Sequence, residues 1–152
     1  ITMKKIIFVF IVVSFLTVTN AWSAEGLIVL KSTFSPAETM NRFETVIKQK
    51  GLNVFARINH AAGATKIGEK LRPTELLIFG NPQGGTPFMQ CGQTVGIDLP
   101  LKVLVWEDTD SQVWLGYNDP VYLAHRHGIA QCPVAMKLAN ALKKLTAAAL
   151  AE

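Results

Sequence analysis

The chain has two cysteines, Cys91 and Cys132, and three histidines among 152 residues, and neither set carries a metal-binding spacing. No CxxC pair occurs, which removes the common zinc and dithiol-exchange motifs. No GxSxG elbow occurs either, and Ser111 falls in what reads as a solvated turn, so nucleophilic hydroxyl catalysis has no anchor. Gly80-Asn81-Pro82-Gln83-Gly84-Gly85 is rich in glycine but lacks the GxxxxGK spacing, and a tight turn explains it as well as a phosphate cradle. Internal repeats and low-complexity linkers are absent. The longest apolar run, Ile6 to Val18, is shorter than the roughly 18 to 20 residues of a membrane-spanning helix.

That run is informative in another way. Met3 is followed by Lys4 and Lys5, then by the uncharged stretch, then by small residues at Ala21, Ser23 and Ala24, the three-part pattern of a secretory signal. Thr19-Asn20-Ala21 and Ala21-Trp22-Ser23 both suit a signal peptidase. Residues 1–24 are therefore expected to be a signal peptide cut between positions 21 and 24, which places the product in the periplasm or outside the cell. An uncleaved anchor is the alternative, and contact with a membrane is expected only through this segment before cleavage.

Loss of Lys4 and Lys5 leaves 13 basic against 11 acidic residues and lowers the net charge from +4 to +2. Lys137, Lys143 and Lys144 have the spacing of the wet side of one helix, with no interleaved aromatics, so nucleic acid is not an expected partner. The remaining length suits a single domain over 26–150. In an oxidising compartment the isolated pair Cys91 and Cys132 is expected to be joined. Closing a loop of about 40 residues implies about 3 to 4 kcal/mol in the chain-entropy treatment.

Local patterns place the elements. Gly26 to Lys31 reads as a strand. Ser35 caps a helix with Pro36 in its first turn, Glu38 completes a capping box, and Met40, Phe43 and Ile47 share a face before Gly51. Leu52 to Asn59 alternates like a half-wet strand, and 60–73 reads as a loop with room for one helical turn. Thr74 to Phe79 is a third strand, ended by the turn chemistry of Gly80-Asn81-Pro82. A short helix is expected over 87–95. Lys102 to Trp106 and Gln112 to Tyr117 form an acidic hairpin, in which Trp106 and Trp114 are placed to pair across the strands. Asp119-Pro120 opens a short helix closed by Gly128. A final helix starts at Pro133, with Val134, Leu138, Ala141, Leu142 and Leu145 as its apolar stripe and a fraying tail from Thr146. Five strands with helices near each end imply an α+β domain, its antiparallel sheet packed by helices on one face.

The succession LLIFGNPQGGTPFMQ, LPLKVLVWED and VWLGYNDPVYLAHRHGI over 75–129 resembles the domain of unknown function 302 family, and the likeness extends over nearly all of 26–130. The resemblance implies a β-α-β4-α layout similar to the TATA-binding-protein-like folds and implies little chemistry. Fold likeness carries no implication of DNA binding. The cysteine pair is not general to such relatives and marks an exported subgroup.

Polar groups in the connections are the candidates for function. We single out Asn81, Tyr117, Asn118, Asp119, His125 and His127 as ligand-binding candidates, with His60, Gln90, Asp98 and Arg126 as further polar groups. Asp119 also suits a helix cap. On a regular helix His125 and His127 point about 200° apart and cannot chelate one ion, so no metal and no cofactor is expected. Three classes of function remain. The preferred one is a small exported module, monomer or homodimer, that binds an unidentified small molecule or protein. The second is an enzyme, hydrolytic or other, using His125 or His127 as acid or base with Asp119 as orienter. The third is an interaction domain that meets a partner through an open sheet face or edge.

Overall fold

The computed structural model describes residues 24–152. The expected signal segment and its cleavage positions before Ala24 lie outside the described residues. The elements run β1 (Leu27–Ser32), α1 (Pro36–Gln49), β2 (Asn53–Asn59), α2 (His60–Lys66), β3 (Thr74–Gly80), α3 (Pro82–Cys91), a 3-10 turn (Gln93–Ile97), β4 (Leu101–Glu107), β5 (Val113–Asn118), α4 (Pro120–Arg126) and α5 (Pro133–Leu150). The strands form one antiparallel sheet in the order β1-β5-β4-β3-β2, as the α+β reading requires.

Alternation along the strands decides which face is covered. Leu77 and Phe79 of β3, Val103 and Val105 of β4, and Val113, Leu115 and Tyr117 of β5 project to one side. There they meet Met40, Phe43 and Ile47 of α1 and Leu142, Leu145 and Ala149 of α5. Phe43 stands edge-on to Phe79 with ring centroids 5.2 Å apart, and full burial of each such side chain stabilises the fold by about 2 to 3 kcal/mol. The opposite face carries Leu76, Ile78, Leu104, Trp106 and Trp114, all half-buried. Trp106 and Trp114 are directly opposed across β4 and β5, as expected. The Trp106 ring lies over Gly116, where a Cβ would come within 2.9 Å of it.

The hairpin that joins β4 and β5 is organised by Asp108. Its carboxylate accepts the backbone N–H groups of Asp110 and Gln112 and the Trp114 indole N–H, at 2.9, 2.9 and 2.7 Å. The Trp114 hydrogen bond is the main cause that holds this carboxyl below its usual range. The contribution is complete above the ordinary Asp range and disappears as pH falls through the lowered folded-state value.

Three local expectations need correction. Residues 60–66 are a helix rather than loop, because the Asn59 side chain accepts the Ala62 N–H at 2.8 Å and caps it. Helix α3 starts at Pro82, not at Pro87, because Asn81 does the same for Gly84 at 2.9 Å. The tail of α5 does not fray: Thr146 and Ala149 are buried, and Arg42 of α1 donates to the carbonyls of Ala149 and Ala151. The Arg42 guanidinium also lies 4.0 Å from the Phe34 ring centroid.

At its other end α5 is fixed covalently. Cys132, its N-cap, is bonded to Cys91, the last residue of α3, with Cα atoms 6.0 Å apart. Cys132 joins a second, smaller core of Phe88, Val95, Leu123, Ala124 and Ala135. The bridge thus ties α3 to α5. The double variant C91A/C132A is expected to lose about 4 kcal/mol of unfolding free energy in denaturant titration. A loss under 1 kcal/mol contradicts this role.

Candidate functional site

A cavity of about 380 Å³ lies between α3, the middle of α5, and the adjoining ends of β3 and β4. Its size falls in the range of small-molecule sites. It exists because α5 presents one apolar stripe to two different surroundings. Leu142 and Leu145 belong to the core over the sheet and also line the cavity, while Leu138 and Ala141 extend its wall beyond that core. On the opposing side the chain places Gly84, Gly85 and Gly96, which leave the space unfilled. A Cβ at Gly85 would meet nothing closer than Leu99 at 3.8 Å. Leu52, Phe79, Met89 and Leu99 complete the apolar wall, and no charged residue lines it.

Of the six sequence candidates, Asn81 alone lines this cavity. Its position is set by its role as N-cap of α3, which turns the chain from β3 into the cavity wall. Tyr117 is instead a core residue, 6% exposed. Burial is the main cause that raises its pKa, the Asp119 charge adds to it, and a side-chain hydrogen bond with Thr146 partly offsets both. Asn118 is exposed at the end of β5. Asp119 caps α4, accepting the Val121 N–H at 2.9 Å.

The histidines separate as well. His125 is exposed in the last turn of α4. His127 caps that helix and turns inward, its Nε2 2.6 Å from Asp98 Oδ2 and its Nδ1 3.0 Å from Thr94 Oγ1. Arg126 donates to the same Asp98 carboxylate at 2.9 Å. The imidazole is therefore oriented by Asp98 and not by Asp119. None of Thr94, Asp98 or His127 lines the apolar cavity, so the arrangement reads as a clasp between α4 and the 3-10 turn. His60 is exposed at the start of α2. Among the described residues no three His, Cys, Asp or Glu side chains are grouped to hold a metal ion.

A second hollow, more polar, lies between the end of β1, the start of α1 and the β4–β5 hairpin, with Lys31 and Glu107 on its walls. None of the six candidates reaches it. The lining residues Met89, Leu99 and Leu138 were not singled out as functional from the sequence, because an apolar residue that walls a cavity looks like one that fills a core.

A single α+β domain with one helix-covered sheet face and an uncharged cavity beside its last helix is the class that the geometry defines. The chain belongs to the family described as domain of unknown function DUF302, whose pattern it matches over residues 28–145. It is similar to the crystal structure of an uncharacterized conserved DUF302 protein from Bacillus stearothermophilus. The TM-score is 0.66 at 24% identity, covering 84% of this chain and 97% of that one, a likeness of fold. It is also 51% identical over 104 residues to a protein of Brucella suis biovar 1 named fluoride-specific ion channel FluC 1, covering 68% of this chain and 41% of that protein. A similarly named Brucella abortus protein matches at the same identity, with 38% of its length covered. The chain thus spans about two fifths of these curated relatives.

The clasp and the exposed histidine have different expected costs. His127→Ala is expected to destabilise the domain by about 1 to 2 kcal/mol, since it breaks two side-chain hydrogen bonds around a mostly buried carboxylate. His125→Gln is expected to leave the melting temperature unchanged within error. Differential scanning calorimetry of the two variants checks both, and equal effects would contradict the clasp.

Proposed function

We propose that this chain is an exported binding domain that takes up a small apolar molecule in the cavity between α3, α5 and the sheet. The observation that carries the reading is the uncharged lining of a cavity of about 380 Å³ in an otherwise well-packed domain. Protein interiors rarely leave such volume empty without consequence. Catalysis has less support, since Thr94, Asp98 and His127 line neither of the two hollows described above and Arg126 already donates to the Asp98 carboxylate.

The half-buried apolar sheet face of Leu76, Ile78, Leu104, Trp106 and Trp114 favours a second reading, a surface for a protein partner or a second copy. The named Brucella proteins fit either reading. At most 23 of the 104 aligned residues can precede Ala24, and no helix among the described residues is long and apolar enough to cross a membrane. The shared part of those proteins is on this view an accessory domain beside the channel that their name describes. The disulfide supports export, because such bonds persist in oxidising compartments.

Replacing Gly85 with leucine tests the cavity directly. The new side chain starts at ordinary contact distance from Leu99 and Met89 and extends into the cavity, so the variant is expected to keep its melting temperature while uptake of a neutral fluorescent dye such as Nile red falls at least tenfold. Undiminished uptake overturns the cavity reading. Export is checked by N-terminal sequencing of the secreted or periplasmic product, which is expected to begin between Trp22 and Glu25. A cytoplasmic product that retains Met3 contradicts it.

A further inference from the structure

We propose that the molecule held in the cavity is neutral and bears one hydrogen-bond-accepting oxygen, a ketone, aldehyde, ester or quinone carbonyl on an apolar body. The inference rests on the cavity reading and sharpens it from the polar groups at the wall. Asn81 and Thr86 are the two side chains with polar hydrogen-bonding groups among its lining residues. The Asn81 Oδ1 is engaged by the Gly84 N–H at 2.9 Å, which fixes the amide and leaves its Nδ2 as the free end. No described residue partners that Nδ2, and none partners the exposed Thr86 hydroxyl.

Two donors, five residues apart in the chain, thus border the cavity at the start of α3, beside a wall of Met89, Leu99 and Leu138. An amide N–H that loses water on ligand entry must find an acceptor or leave that entry costly. A carbonyl oxygen supplies the acceptor. A carboxylate or ammonium is disfavoured, because no lining residue carries a compensating charge and an unpaired ion loses its hydration in such a site. Donor-only head groups such as an indole N–H gain nothing from Nδ2. The capping bond orients the amide in advance, so no rotamer freedom is lost when it donates.

Butyrophenone, butylbenzene and 4-phenylbutyrate share an apolar body and differ in the head group, which makes them suitable probes for isothermal titration or ligand-observed NMR. Butyrophenone is expected to bind about fivefold more tightly than butylbenzene, the gain of one neutral hydrogen bond, and more than tenfold more tightly than 4-phenylbutyrate. Asn81→Asp keeps the oxygen that caps α3 and removes the donor. It is expected to erase the preference for the ketone while butylbenzene still binds, and Thr86→Val serves as a milder companion without the hydroxyl. Equal affinities for the ketone and the hydrocarbon in the unaltered protein overturn the carbonyl assignment and leave cavity binding intact. Tightest binding of 4-phenylbutyrate overturns neutrality. Failure of all three probes to bind, with the Gly85→Leu protein behaving identically, overturns the cavity reading itself.

Discussion

Everything distinctive in this domain depends on helix α5 being held at both ends. At its start, Cys132 is bonded to Cys91 at the end of α3. At its finish, Arg42 of α1 holds the carbonyls of Ala149 and Ala151, and Thr146 and Ala149 are buried against the core. Between these points the helix must cross the boundary of the sheet. Its start packs on the smaller core through Ala135, its second half joins the core of Phe79, Leu115 and Tyr117, and its middle, from Leu138 to Leu145, borders the gap that forms the cavity. A helix fixed at only one end could tilt to close that gap, since apolar packing favours collapse of an unfilled volume.

This arrangement separates stability from binding within one fold. Stability is concentrated on the helix-covered face, where Phe43, Phe79, Met40 and Ile47 are fully excluded from water. The cavity borrows Phe79, Leu142 and Leu145 from that core as its floor and adds the half-buried Met89 and the exposed Ala141 to its wall. Polar chemistry is kept to the margins. Asp119 and Asn81 cap helices, Asp108 binds the β4–β5 hairpin, and Asp98 gathers His127 and Arg126 outside the cavity.

Much of this was legible in the residues. The strands at Thr74 to Phe79, Lys102 to Trp106 and Gln112 to Tyr117, the Ser35-Pro36 start of α1 and the paired tryptophans of the hairpin are local signals, and each corresponds to the structure. The cysteine pair was legible through compartment rather than geometry. What could not be read was where one apolar stripe stops being core. Leu138 and Leu142 share a helix face and a residue type and both line the cavity, and only the position of the sheet edge makes the second a core residue as well. Asp119 caps α4, a role its place before Pro120 already suggested, whereas the burial of Tyr117 in the core was not read from the sequence. Asn59 and Asn81 hid helix starts because an asparagine cap and an asparagine turn share the same local signature.

Methyl NMR gives the most direct test of the cavity as the binding site. In a titration with butyrophenone, the methyl signals of Leu52, Met89, Leu99 and Leu138 are expected to move together and saturably, with those of Leu76, Ile78 and Leu104 on the far sheet face unmoved. Shifts confined to the far face, with the cavity methyls unchanged, would contradict the account and transfer the function to the exposed side of the sheet.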